Sequence, residues 1–266
     1  MNYNQNSNPE KAARIALKYS DITVILPTLN EVSSIYIILN ELLRNYPDLK
    51  VIIVDDRSTD GTIELIKDFL ASYSFKNSQQ VQLLIRSENA VKGLTASVIE
   101  GIRLCKTKYF VVMDADLQHP ITEIQNLVGK LEENCDLVVC RRNEMYAECP
   151  KYRIIFSSIV NKILSKYLSY RKVKILDPLS GFFAMKTELF KRVLLCQNKK
   201  FQLPGYKILF EILKILSSEE YKKNCQAGNN LNFKISEINF KFERRIGGNS
   251  KLRLKHAILL AKSIFA

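Results

Sequence analysis

An α/β domain built on a mostly parallel central sheet is the fold class this chain of 266 residues predicts. Short, very apolar runs recur along it, among them 22–26 (Ile-Thr-Val-Ile-Leu), 51–54 (Val-Ile-Ile-Val) and 109–113 (Tyr-Phe-Val-Val-Met), and they read as strands buried on both faces. Segments with apolar residues at helical spacing lie between them, and this alternation is the mark of βαβ units. Three of the runs also end directly in carboxylates, at Glu31, at Asp55-Asp56 and at Asp114-Ala115-Asp116. In an open α/β sheet the carboxyl ends of the strands face the ligand crevice, so acids at three such ends describe one pocket.

In chain order, a strand over 22–26 leads to a helix over 33–45, whose Ile35, Ile38, Leu39 and Leu42 share a face. A strand over 51–54 precedes a helix over 62–72 that the Asp60-Gly61 turn starts. A strand over 81–85, a helix over 94–105 and a strand over 109–113 complete the regular half. The second half predicts a helix over 121–133, a strand over 137–140, an amphipathic helix over 152–168 and a strand over 181–185. Helices over 188–195 and 206–217, a polar surface loop over 221–230 and a last strand over 231–238 follow. No repeat or low-complexity linker divides the chain. The expected organisation is a basic tail over 1–20 (Lys11, Arg14, Lys18), one domain over 21–251, and an amphipathic helix over 252–266. In that last helix Leu254, Ala257, Ile258, Ala261 and Phe265 share a face that Lys255, His256 and Lys262 avoid. Such a helix suits a membrane interface, or equally a seat on its own domain.

Within the third acidic segment, Asp114 and Asp116 are two apart at a strand end, so their side chains point the same way and can face one cation. Gln118 continues the alternation with a neutral oxygen. Hard oxygen ligands suit Mg²⁺ or Mn²⁺, ions that accompany diphosphates; the plainer alternative is a strand end capped by polar turn residues. His119 and His256 are the only histidines, and no Ser-His-Asp or Cys-His device is visible. A net charge of +13 points to an anionic partner, namely a phosphorylated ligand, an acidic membrane surface or nucleic acid, or else to a generally basic solvated surface. Nucleic acid is set aside because no helix-turn-helix, zinc or aromatic-basic motif accompanies the charge. The six cysteines are scattered without a C-x-x-C pair and read as reduced thiols of a cytosolic protein. No apolar stretch approaches the roughly 20 residues of a membrane span, which predicts a soluble or peripheral protein.

The order P-T-x-N-E at 27–31, V-D-D-x-S-x-D-G-T at 54–62 and D-A-D-L-Q-H-P at 114–120 resembles the inverting family 2 glycosyltransferases. The last variant is similar to the dolichyl-phosphate (polyprenyl-phosphate) mannosyltransferases. D-P-x-S-G-F-F-A at 177–184 and R-x-x-G-x-S-K at 245–251 extend the resemblance over nearly the whole chain. It implies a GT-A-like nucleotide-sugar fold. It also implies transfer of mannose from GDP-mannose to a dolichyl or polyprenyl phosphate with inversion, which makes a lipid-linked mannose donor for glycosylation. UDP-glucose as donor to the same acceptor class is the rival reading, and Leu29, where relatives often have Tyr, leaves it open. A non-catalytic anion-binding subunit is the rival from another class.

By the same resemblance Asp116 is the main metal ligand, assisted by Gln118, while Asp114 serves both ribose and metal, with Mg²⁺ or Mn²⁺ as cofactor. Pro27, Leu29, Glu31, Asp55, Asp56, Lys92 and Asp114 are expected to line the nucleotide pocket. Arg142, Arg153, Arg245, Ser180 and Lys251 are expected around the acceptor phosphate, with Asp177 beside Ser180. Asp114, Asp116, Arg142 and Arg245 are the expected catalytic groups. Arginine suits phosphate because its planar fork is bidentate and stays charged. His119 is expected to shape its turn, Phe182 and Phe183 to be strand core, and Lys207 and Glu211 to form a structural pair. A lipid acceptor implies work at the cytosolic face of a membrane, by peripheral docking or through a small membrane-anchoring subunit.

Overall fold

A computed structural model gives the architecture and describes residues 18–73, 80–144, 151–197, 201–205, 207–224 and 233–242. The regular half runs β1 (Ile22–Thr28), α1 (Ile35–Asn45), β2 (Lys50–Asp55), α2 (Thr62–Ser72), β3 (Val81–Ile85), α3 (Leu94–Leu104) and β4 (Tyr109–Val112). Then come α4 (Glu123–Glu132), β5 (Leu137–Glu144), α5 (Lys151–Tyr170), β6 (Phe183–Lys186), α6 (Thr187–Gln197), α7 (Ile208–Leu216), α8 (Glu219–Asn224) and β7 (Ile235–Lys241). The strands form one sheet in the order β3-β2-β1-β4-β6-β5-β7.

Alternation within the strands divides the core into two faces. Val24, Leu26, Val51, Ile53 and Val111 point to one side, under α1, α2 and α4. Ile25, Ile52, Val54, Phe110 and Val112 point to the other, under α3, α5, α6 and α7. Every residue of β1 is buried, as a central parallel strand covered on both faces requires. This is why the sequence shows a continuous apolar run there rather than an alternating one.

Strand direction places the site. β1 pairs in parallel with β2 and β4, and β2 with β3. β6 runs antiparallel to both β4 and β5, and β7 is parallel to β5. The carboxyl ends of β1, β2, β3, β4, β5 and β7 therefore meet along one edge of the sheet. The amino end of β6 meets them there, so the segment entering β6, Asp177 to Phe182, arrives at the same edge.

Helix positions follow the sequence pattern closely, while β5 runs on to Glu144 beyond the expected 137–140 and β7 spans Ile235–Lys241 rather than 231–238. The loop expected over 221–230 begins instead as helix α8, and Tyr221 is 1% exposed. Its ring belongs to the core formed by α6 and α7, so burial of one large aromatic overrides the polar residues around it. The segments 1–17 and 252–266 lie outside the described residues.

Gly101 of α3 shows how closely helix and sheet approach, since a Cβ there would stand 2.7 Å from Cγ2 of Ile25 and 3.0 Å from Cγ2 of Val54. Overpacking costs about 1–3 kcal/mol, against the roughly 1 kcal/mol of helix propensity that alanine gains over glycine. Gly101→Ala should therefore lower the thermal midpoint in a differential scanning measurement, and an unchanged or raised midpoint would contradict the close approach.

Candidate active site

The loops after β1 and β2 are stitched together by the polar residues of their motifs. Asn30 N–H donates to Ser58 Oγ at 2.8 Å, and Thr59 N–H donates to Asn30 Oδ1 at 2.8 Å. Glu31 N–H donates to Thr62 Oγ1 at 2.9 Å, and Val32 N–H to Asp60 Oδ2 at 3.1 Å. Burial raises the pKa of Asp60, but hydrogen bonds from Thr62 and the Val32 amide outweigh it and hold the group below the usual carboxylate range. A residue with positive φ turns the chain just past each of the three acidic strands: Asn30 (55°), Arg57 (68°) and Leu117 (64°). For a leucine this left-handed conformation is strained, and such strain collects at ligand sites. Here it turns the chain after Asp116 so that Gln118 N–H donates back to Asp116 Oδ1 at 3.1 Å.

The acids differ in how they are held. Asp55 is fully buried and accepts from the Thr28 hydroxyl at 2.7 Å, the Ser58 amide at 2.7 Å and the Ser58 hydroxyl at 2.6 Å. Asp56 is matched by Arg86, whose Nη1 donates to Oδ1 at 2.7 Å, while the Gly93 amide donates to Oδ2 at 2.9 Å. The same guanidinium reaches Glu100 at 2.9 Å and the Val91 carbonyl at 2.9 Å. Burial alone would lower the pKa of Arg86, yet Glu100 and Asp56 raise it, so the fork stays charged with its side chain 1% exposed. Arg86 had no motif to announce it; only the carboxyl end of β3 placed it beside the others. Pro27 and Glu31 are buried, Leu29 is half-buried and Lys92 is exposed at the start of α3.

At the end of β4 the side chain of Asp114 is 38% exposed, whereas Asp116 and Gln118 are buried. The Asp114 amide donates to Nδ1 of His119 at 3.0 Å, which leaves the proton of the neutral ring on Nε2, 3.9 Å from Asp114 Oδ2. The ring is 3% exposed and stacks on Phe182 at 5.0 Å between centroids. His119 thus packs and orients the turn, and the nitrogen that could have ligated a metal is taken. Phe182 and Phe183 are fully buried core residues.

Among the described residues no three His, Cys, Asp or Glu side chains form a metal cage. A diphosphate-bridging cation does not need one, because Mg²⁺ is commonly held by one or two carboxylates plus substrate phosphates. Two carboxylates and an amide oxygen fit that chemistry. Gly181 lies against them: a Cβ there would stand 3.2 Å from Asp114 Oδ2.

The cationic side of the site faces Asp114 from β5 and α7. Arg142 donates from Nε to Asp177 Oδ2 at 2.8 Å and from Nη2 to Asp177 Oδ1 at 2.7 Å, a bidentate fork. Burial raises the pKa of Asp177, but the hydrogen bond and charge of Arg142 outweigh it and hold the carboxyl low. Lys207, half-buried at the start of α7, is pushed down to about 7 by burial and then by the neighbouring Arg142, against the pull of Asp177 and Asp114. Arg142, Asp177 and Asp114 act on Lys207, and Glu211 accepts the Gln202 amide at 2.9 Å.

Ser180 is buried, and its hydroxyl donates to the Cys140 carbonyl at 2.6 Å while accepting the Phe182 amide at 3.1 Å. Its visible bonds therefore hold the turn into β6. Arg153 lies in α5, with its side chain outside the described residues, as are Arg245 and Lys251 altogether.

A mostly parallel sheet that gathers acids at its switch point, with two basic groups near them, defines a GT-A-like nucleotide-sugar transferase fold. The chain belongs to glycosyl transferase family 2, whose model matches residues 23–194. Among curated proteins it is 30% identical over 240 residues to the dolichol-phosphate mannosyltransferase of Pyrococcus furiosus, covering 88% of this chain and 60% of that one. It is 28% identical over 250 residues to the enzyme of the same name from Saccharomyces cerevisiae, covering 90% of this chain and 82% of that one. Among solved structures it resembles glucosyl-3-phosphoglycerate synthase from Mycobacterium tuberculosis, a complex with Mn²⁺, UDP and phosphoglyceric acid. The TM-score there is 0.59 at 19% identity, over 92% of this chain and 75% of that one, and this likeness concerns the fold alone.

Burial pushes the Glu211 carboxyl up to about 7, above its value of 4.5 in a free chain. The folded protein then holds a proton that the unfolded chain has released between these values, so this group's contribution to stability falls as pH rises from 4.5 to 7. Glu211→Gln should leave the thermal midpoint near pH 5 almost unchanged and raise it at pH 8. A gain on the order of 1 kcal/mol corresponds to about 2–4 °C in a chain of this size. Parallel pH profiles for the two proteins would exclude this origin.

Proposed function

We propose that the protein transfers mannose from GDP-mannose to a dolichyl or polyprenyl phosphate with inversion at the anomeric carbon, making a lipid-phosphate-linked mannose. The carrying observation is that Asp114, one of three oxygen donors at the end of β4, lies near enough to the basic groups Arg142 and Lys207 for its charge to act on both. Two anionic reactants can be held close together in such a place. The mannosyltransferases of Pyrococcus furiosus and Saccharomyces cerevisiae support the choice of sugar and acceptor.

Asp116, Gln118 and Asp114 would hold Mg²⁺ or Mn²⁺, which when bound neutralises charge on the leaving diphosphate. Pro27, Leu29, Glu31, Asp55 and Asp56 form or support the wall for the base and ribose, with Lys92 at its rim. Arg142 orients the acceptor phosphate from the other side, with Lys207 beside it. An anion next to Lys207 favours the ammonium, so arrival of a phosphate recharges it. Arg153, Arg245, Lys251 and the Ser180 turn complete the proposed acceptor side. A phosphomonoester has a second pKa of about 6 and is largely dianionic at neutral pH. One of its oxygens bonds to the anomeric carbon as the bond from that carbon to the diphosphate breaks, and GDP departs with the electron pair. No side chain need remove a proton, so catalysis rests on positioning and electrostatics.

A panel of GDP-mannose and UDP-glucose with a phosphorylated polyprenol, run with Mg²⁺, Mn²⁺ or chelator, tests this reading. GDP-mannose should be the preferred donor, and Asp116→Ala should reduce turnover to background while the fold survives by circular dichroism. Preference for UDP-glucose would establish the rival glucosyl transfer. Full activity of the variant, or of the wild type in excess EDTA, would remove the metal from the mechanism. Absence of transfer with an intact Asp116 would favour a binding subunit.

We also propose peripheral docking on the cytosolic face of a membrane. No helix among the described residues is long and apolar enough to cross one. Ile155, Ile159 and Ile163 form an exposed row on α5, at 59%, 52% and 54%, beside Lys162 and Lys166. Leu176, 56% exposed, is tied to another flank of the same helix, its carbonyl accepting the Ser165 hydroxyl. Basic residues near an anionic surface contribute about 1 kcal/mol each and are screened by salt. Binding to anionic liposomes should fall with added salt, after Ile155, Ile159 and Ile163 are changed to Asn, and after deletion of 252–266. Indifference to liposomes at low salt, with lipid acceptor used only alongside a small membrane subunit, would make these features protein-docking elements.

A further inference from the structure

We propose that Glu237, on β7, is a positioning residue that sets the Arg142 guanidinium for the acceptor phosphate by fixing the backbone of Leu176 and Asp177. The proposal rests on the reading of Arg142 as the acceptor clamp. Its carboxylate accepts the Leu176 amide on both oxygens at 3.0 Å and the Asp177 amide at 3.1 Å. One carboxylate thus pins two successive amides at the turn into the D-P-x-S-G-F-F-A segment. Asp177 then grips Arg142 through the bidentate fork and also accepts the Arg142 amide at 3.3 Å.

The strands make this relay geometrically possible. Glu237 pairs with Val139 in the β5–β7 register, and Arg142 with Phe240, so both members stand on neighbouring strands near the same sheet edge. The Arg142 guanidinium lies 5.9 Å from the centroid of the Phe242 ring, just past the end of β7. β7 thereby constrains Arg142 from two directions, through the Phe242 face and through Glu237 and Asp177. A bidentate fork whose carboxylate partner moves loses both hydrogen bonds together, because two parallel N–H···O bonds share one plane. The exposures along 176–177 add a second consequence: Leu176, 56% exposed, faces out, and Asp177, 3% exposed, faces in toward the clamp. Fixing these two amides therefore fixes which of the two side chains turns inward to hold Arg142.

A double-mutant cycle with farnesyl phosphate as acceptor tests the relay, with KM for acceptor, KM for GDP-mannose and the thermal midpoint recorded for each protein. Glu237→Ala should raise acceptor KM about tenfold and leave donor KM within twofold. Glu237→Gln, which keeps one accepting oxygen, should lie between, and it serves as the test if the alanine variant does not fold. In an Arg142→Lys background, where the planar fork is gone, the Glu237 change should add less than twofold. Additive losses in the two backgrounds, or equal losses for donor and acceptor, would overturn the positioning role and reduce Glu237 to general support of the fold. If Arg142→Lys itself leaves acceptor KM unchanged, the clamp reading fails, and the inference with it. That outcome is distinct from an effective Arg142 change combined with an additive Glu237 change.

Discussion

Carboxylates buried at strand ends need donors, and this requirement organises the edge of the sheet where the site lies. An ionised acid without partners in an apolar interior is so costly that it would take up a proton instead. Asp55 meets the requirement with neutral donors, Thr28 and Ser58; Asp56 with Arg86; and Asp177 with Arg142. Arg86 is itself buried and Arg142 half-buried, so neither is independent of its acid. Each pair is consequently a mutual condition, in which removing one member strands the other. Asp114 is the contrasting case, since its side chain is 38% exposed and borders both the oxygen donors and the cations. The crevice thus sets hydrogen-bonded, mostly buried acids beside a carboxylate, Asp114, that water can reach.

Insertion of β6 against the direction of its neighbours gives the site its second half. Had the chain continued with another parallel strand beside β4, the segment before that strand would have lain at the far edge of the sheet. Because β6 is antiparallel to β4, its entry turn arrives beside Asp114, bringing Asp177, Ser180 and Gly181. β5 and β7 then deliver their carboxyl ends to that edge as well. The donor half follows the switch-point rule of parallel sheets, and the acceptor half depends on one reversed strand.

Much of this was legible in the sequence where the signal was local. The apolar runs at 22–26 and 51–54 located β1 and β2, and the acids after them located the crevice. Helical spacing set α2 over Thr62–Ser72 as expected, because its Ile66 and Phe69 face the core. What escaped local reading depends on partners distant in the chain. Arg86 meets Asp56 across 30 residues, and Glu237 meets Leu176 across 61. Nothing adjacent to either marks it as more than a surface charge. Tyr221 shows the opposite failure, a polar neighbourhood that hides one core residue.

The β5–β7 pairing also bears on how the chain is made. The amide of Lys234 closes onto Asp136 across 98 residues, so β5 waits for a strand that leaves the ribosome much later. Until it arrives, β5 is an edge whose Val138, Val139 and Cys140 alternate between two apolar faces, with its outer row of N–H and C=O groups unpaired. Such an edge accepts any extended chain, including that of a second nascent molecule. During that interval the newborn protein is most open to wrong strand addition, and a chaperone holding the β5 edge would protect it best.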